Sequence, residues 1–172
     1  MQVFSAAASP SGENWLSYGD KKIRCALGKG GVVASDDKRE GDGASPIGIW
    51  PIRRVLWRSD LGNAPKTRFP LTEIQTDDGW SDTSDDANYN KPVKHPYPYS
   101  AEKMWRDDGL YDIVVVLGHN DDPVVAGMGS AIFLHCARPD YGPTEGCVAL
   151  AKHDLIALLA VADIGDYVEI CG

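Results

Sequence analysis

Two residues of this chain have the types and spacing for nucleophilic acyl chemistry: His135 and, 12 positions later, Cys147. His135 closes the apolar run Ile132-Phe133-Leu134. Cys147 follows Thr144-Glu145-Gly146 and precedes Val148-Ala149-Leu150, with a helix expected just beyond. The reactive form of cysteine is the thiolate, so a base must stand within hydrogen-bond reach of the thiol. A strand end holds an imidazole rigidly, and a glycine before the nucleophile lets backbone N–H groups approach a developing oxyanion. Spacing alone does not make such a pair catalytic, because most unpaired cysteines are buried and inert. The other cysteines, Cys25, Cys136 and Cys171, form no CxxC pair, so neither a structural zinc site nor a disulfide scaffold is read. A metal site from His119, His135 and Cys147 lacks paired-ligand spacing, so no metal and no cofactor is expected.

The elements that must position these groups read mostly as strands. The chain has 172 residues, 43% hydrophobic and 24% charged, which fits one domain over 1–172. Its 18 glycines and 11 prolines separate short apolar runs, the pattern of many turns between strands. Residues 2–8 and 21–27 read as early strands around a turn region at 12–19, and 49–57 reads as an extended run. Tyr111–Leu117 is the clearest strand, and its Ile-Val-Val-Val-Leu run reads as buried on both faces. A further strand is expected at 131–136 and a last one at 167–170. Residues 58–110, rich in Pro, Asp, Asn and aromatics, read as long ordered loops with short strands and a short helix near Ser100–Asp107, because their aromatics need burial. Long loops in a compact domain are often functional. The one strong helix is 152–162, with Leu155, Ile156, Leu158, Leu159 and Ala162 on its apolar face, Asp154 near its N-terminus and Gly165 to end it. The expected fold is mainly β: a curved β-sandwich or partial barrel with one late helix and long loops.

The order strand–His, irregular loop, then Thr144-Glu145-Gly146-Cys147-Val148-Ala149-Leu150 resembles the signature of the L,D-transpeptidase catalytic domain (YkuD-like) family. Ser45-Pro46-Ile47-Gly48-Ile49-Trp50 resembles that family's upstream Thr-Pro-x-Gly-x-aromatic element. The resemblance implies Cys147 as nucleophile, His135 as general base, the Cys136 carbonyl as the group orienting His135, and N–H groups of Gly146 and Cys147 as an oxyanion hole. It also implies attack on a peptidoglycan stem peptide at an L,D bond, a thioester, and resolution by a meso-diaminopimelate amine to give 3,3- or 1,3-crosslinks, with carbapenems acylating the same thiol. This chain has Cys136 where the family has glycine after the histidine, Glu145 where it often has histidine, and Ala149 where it usually has arginine. Those positions bear on substrate recognition, for which Arg138 (a carboxylate clamp), Tyr141, Thr144, Glu145 (an ammonium partner) and His119 are the candidates.

Water as acceptor would make the protein an L,D-carboxypeptidase. A different cell-wall cysteine hydrolase of the papain-like class is disfavoured, because there the cysteine precedes the histidine. A non-catalytic wall-binding module is the other alternative. The net charge of −8 argues against nucleic acid as a partner, and no run of 18 apolar residues is present to cross a membrane. A monomer acting on peptidoglycan stem peptides is expected. The resemblance places it in the periplasm; residues 1–10 carry no evident secretion signal, so a cytoplasmic muropeptide substrate stays open.

Overall fold

In the computed structural model, which describes residues 1–172, thirteen strands and one α-helix follow one another along the chain. They are β1 (Val3–Ala7), β2 (Asn14–Tyr18), β3 (Lys21–Ala26), β4 (Val32–Ala34), β5 (Ser45–Trp57), β6 (Leu71–Glu73), β7 (Asp78–Ser81), β8 (Pro92–Lys94), β9 (Ala101–Lys103), β10 (Ile113–Leu117), β11 (Phe133–Cys136), β12 (Val148–Leu150), α1 (Lys152–Val161) and β13 (Tyr167–Cys171). Eight of them close into a barrel in the order β10-β11-β12-β3-β2-β1-β13-β5, with β5 returning to pair with β10. The long β5 makes closure possible: Gly48–Pro51 pair with β13, and Ile52–Trp57 pair with β10 across a register shift. Strands β4 and β6 lie parallel to the two ends of β5, and β8-β7-β9 form a separate small sheet.

Side-chain alternation builds two cores on the two faces of one wall. On β10, Ile113, Val115 and Leu117 point into the barrel, while Val114 and Val116 point outward. The barrel core adds Leu134, Cys136, Val148 and Leu150, and α1 plugs it with Leu155, Leu158 and Leu159. Each such buried aliphatic side chain stabilises the fold by roughly 1.5–3 kcal/mol relative to exposure. The outer core gathers Ile74, Trp80, Met104, Leu110, Tyr111, Phe133 and Cys147, so residues 74–111 cover the wall from outside. That is why all five residues of β10 are buried, as its unbroken apolar run predicts.

Four local readings need correction. Strand β2 occupies the region read as turn, its Leu16 and Tyr18 buried by alternation. Residues 101–103 form β9 rather than a helix, because Trp80 and Ser81 offer them strand pairing. A strand, β12, separates Cys147 from α1, so the thiol does not sit at a helix N-terminus. The helix ends at Val161, before Gly165, since Ala162 turns to extended backbone, and Ile156 stays exposed.

Candidate active site

The site lies on the outer face of β11 and β12. These strands are parallel, with Leu134 beside Val148 and His135 beside Ala149. Leu134, Cys136, Val148 and Leu150 therefore face the barrel, while Phe133, His135, Cys147 and Ala149 face out. Cys147 and His135 are diagonal neighbours on that face. Two backbone groups hold the thiol. Sγ–H donates to the Ala131 carbonyl at 3.1 Å, and the Phe133 N–H donates to Sγ at 3.4 Å.

Backbone contact also explains the glycine before the cysteine. Gly146 has φ 134°, and a Cβ there would stand 2.8 Å from the Ala44 carbonyl oxygen. The Ala44 segment leads straight into β5, so the two sequence elements that share the family resemblance meet at this point. Farther along, the Trp50 ring folds over Gly48 and its Nε1 donates to the Pro46 carbonyl at 3.0 Å. The upstream element thus braces the nucleophile loop from behind.

His135 Nδ1 lies 2.9 Å from the Cys136 carbonyl. A carbonyl only accepts, so Nδ1 carries the proton and Nε2 is left with the free lone pair. The Tyr111 ring packs edge-on against the imidazole at 5.3 Å. Burial pulls His135 down to about 4, against the raising effect of the Cys136 hydrogen bond. Burial first, and then the Glu102 charge, push Cys147 up to about 12. In the substrate-free cleft both groups are therefore neutral, and the thiol is not held as a thiolate.

Of the two expected oxyanion donors, one is occupied. The Gly146 N–H donates to Thr144 Oγ1 at 3.1 Å, and that hydroxyl donates to the Cys147 carbonyl at 2.7 Å. The Cys147 N–H makes no hydrogen bond within the chain, so it is the donor free to meet an oxyanion. Thr144 thereby fixes the loop conformation.

Both reactive groups line a cleft of about 330 Å³. Arg138, Thr144 and Glu145 line it too. The Arg138 guanidinium gives one hydrogen bond to the Pro143 carbonyl at 3.2 Å. Glu145 is 76% exposed and already pairs with Lys29 at 2.8 Å. Tyr141 is not part of the lining; its ring lies under the Arg24 guanidinium at 4.6 Å. His119 also lies outside it, packed edge-on against Trp50 at 4.8 Å and pulled down to about 4 chiefly by burial. Five charged or aromatic residues of the lining have no local signature in the sequence: Glu40, Asp82, Glu102, Arg106 and Tyr111. Only the reading of 58–110 as functional loops pointed toward three of them, Asp82, Glu102 and Arg106.

The model of the L,D-transpeptidase catalytic domain matches residues 13–170, a span that takes in the whole barrel except β1 and the last residue of β13. The chain belongs to that family. Among solved structures it is similar to L,D-transpeptidase 1 of Mycobacterium tuberculosis, at 14% identity over 99% of this chain and 62% of that one, with a TM-score of 0.41. L,D-transpeptidase from Mycobacterium smegmatis matches at 11% identity, 98% and 58% coverage and a TM-score of 0.42. L,D-transpeptidase 3 of M. tuberculosis in complex with a faropenem-derived adduct matches at 14% identity, 99% and 61% coverage and a TM-score of 0.44. The chain spans about three fifths of the length of these proteins. No curated protein matches it.

Proposed function

We propose that this L,D-transpeptidase-family domain is a cysteine acyltransferase acting on peptidoglycan stem peptides, with Cys147 as nucleophile and His135 as general base. The observation that carries this reading is their common face: a thiol at the entry to β12 and an imidazole on the adjacent parallel β11, in one cleft, with Nδ1 tied to a carbonyl and Nε2 free. In the reaction, the Cys147 proton passes to His135 Nε2 as Sγ bonds to the scissile carbonyl carbon. The Cys147 N–H faces the developing oxyanion. The C–N bond then breaks, His135 returns the proton to the leaving amine, and a thioester remains. A diaminopimelate amine attacks that thioester, gives a proton to His135, and restores the thiol. Because both groups are neutral at rest, substrate binding must expel water and align them before the proton moves. Peptidoglycan lies outside the inner membrane, which makes the periplasm the compartment for this chemistry.

Defined muropeptides incubated with the protein and resolved by mass spectrometry test the reading. Crosslinked or exchanged stems, and an acyl adduct on Cys147, are expected from the wild type. Undiminished product from Cys147→Ala would overturn it.

A further inference from the structure

Asn90 stands between β7 and β8, buried, with φ 55°, a left-handed conformation that asparagine tolerates better than most residues. Its own N–H donates to the Ser81 carbonyl at 3.0 Å, which fixes it to the end of β7. The side-chain amide is fully used. Oδ1 accepts the Trp80 Nε1–H and the Ala131 N–H, each at 2.9 Å. Nδ2 donates to the His119 carbonyl at 3.1 Å and to the Asn120 carbonyl at 2.7 Å. An amide has two donor hydrogens and two accepting lone pairs, so every position is filled. The partners also fix which end is which, because N–H groups only donate and carbonyls only accept.

Trp80, His119 and Asn120 anchor the 74–111 cover to the wall. The remaining partner leads to the nucleophile. Ala131 is itself left-handed, at φ 53°, which a residue with a Cβ adopts only where its surroundings hold it there. Each of its peptide groups has a single partner within the chain. Its N–H bonds Asn90, and its carbonyl accepts the Cys147 thiol at 3.1 Å. Two residues on, the Phe133 N–H donates to the same sulfur at 3.4 Å. The turn at Ala131 therefore aims both groups that hold Sγ. Next to it, the Ser130 hydroxyl donates to Glu40, which also accepts the Tyr89 hydroxyl, so residues 89 and 90 grip residues 130 and 131 together.

We propose that Asn90 is a positioning residue for the nucleophile: through Ala131 it sets the carbonyl that orients the Cys147 thiol, and through His119 and Asn120 it locks the cover to the end of β10. It acts on the sulfur only by way of the Ala131 peptide. The inference rests on the function proposed above for its effect on turnover, whereas the placement of the thiol is read without substrate. A carbonyl accepts from a thiol and repels a thiolate, so the resting bond favours the neutral form. The proton must leave Ala131 for His135 when the reaction begins.

Asn90→Gly keeps the left-handed turn without strain and removes the amide. Cys147 then loses the carbonyl that favours its neutral form. Its iodoacetamide labelling, followed by mass spectrometry across pH, should shift to lower pH by about half a unit or more relative to the wild type. Cys136, inside the barrel, should not shift. Turnover should move the opposite way: kcat for muropeptide acyl transfer should fall about ten- to a hundredfold, the range for a misplaced reacting atom, with KM within about threefold. Asn90→Asp keeps the side-chain length and an acceptor for the Ala131 N–H, so its Cys147 profile should show no downward shift. Ile74→Ala hollows the same outer core outside this network and should lower the melting temperature while leaving the Cys147 profile in place. Hydrogen exchange on the wild type needs no variant, and the Ala131 amide should exchange as slowly as those of β10. A fast Ala131 amide, an unshifted Cys147 profile in folded Asn90→Gly, or the same shift in Ile74→Ala overturns the inference. Absence of any Cys147 thioester in the wild type counts against the function itself and leaves these labelling and exchange readouts standing.

Discussion

Cys136 ends β11 and Cys147 stands just before the neighbouring β12; both are buried, and burial raises both thiols, to about 11 and about 12. By burial and acidity they are the same residue twice. What separates them is the face on which each side chain emerges. Cys136 points into the barrel core among Leu134, Leu150 and the helix and lines no cleft with an imidazole. Cys147 points outward into a polar cleft beside an imidazole with a free nitrogen. A thiol's resting pKa therefore does not distinguish a nucleophile from filler; access and a waiting proton acceptor do.

The comparison breaks first on activity. Cys147→Ala should lower acyl transfer, read by muropeptide mass spectrometry, by three or more orders of magnitude, as loss of a covalent nucleophile does. Cys136→Ala should leave kcat within about threefold, because only its carbonyl serves the site. The next largest effect concerns the histidines. His135→Gln should slow thioester formation about 10²- to 10⁴-fold, the range for a general base, whereas His119→Gln should change it little.

Alkylation sharpens the same contrast. With both thiols raised and His135 neutral, iodoacetamide near pH 7 should label neither Cys136 nor Cys147 faster than a free thiol. The Cys147 rate should climb steadily with pH instead of levelling off near neutrality. Rapid selective labelling of Cys147 at pH 7 would show an ion pair already formed without substrate.

Stability should respond to pH through the two buried histidines. Above about pH 6.5 both rings are neutral in folded and unfolded chains alike. Below it the unfolded chain takes up protons that the folded chain refuses until about pH 4. Stability is thus lost as pH falls across that window, by roughly 1–3 kcal/mol per histidine. Denaturation in urea at pH 7 and pH 5 measures it, and His119→Gln should remove one histidine's share. The smallest effect is local. Gly48→Ala forces a Cβ within 2.5 Å of the Trp50 ring and should cost about 1–3 kcal/mol.

How much of this was legible follows from which residues act locally. The β10 run and the late helix are written in consecutive residues; the strand formed over Ile113–Leu117, and the helix formed over Lys152–Val161, one residue short of the reading. Cys147 and His135 were singled out by the Gly-Cys pair and the strand-borne histidine together with the family resemblance, and the structure brings the two side chains to one cleft. Strand β2 was hidden by the glycines and polar residues flanking it. The carboxylates of the cleft were illegible for a different reason: Glu40, Asp82 and Glu102 meet only through tertiary structure, and none carries a pattern of its own. The departures from the family pattern at Cys136, Glu145 and Ala149 bear on substrate recognition.

The parallel pairing of β1 with β13 sets Val3 beside Tyr167 and Ala7 beside Cys171. The barrel is thus a ring with a seam between strands that lie about 160 residues apart in sequence. Closing so long a loop carries an entropic cost that nearby contacts must offset beforehand, and topologies of this kind fold slowly. During synthesis the wall that carries His135 and Cys147 emerges well before β13 does. Until β13 arrives, β5 lacks one neighbour and the ring stands open. A nascent chain therefore carries the thiol and the imidazole on an open wall, and the cleft settles only once the seam is closed.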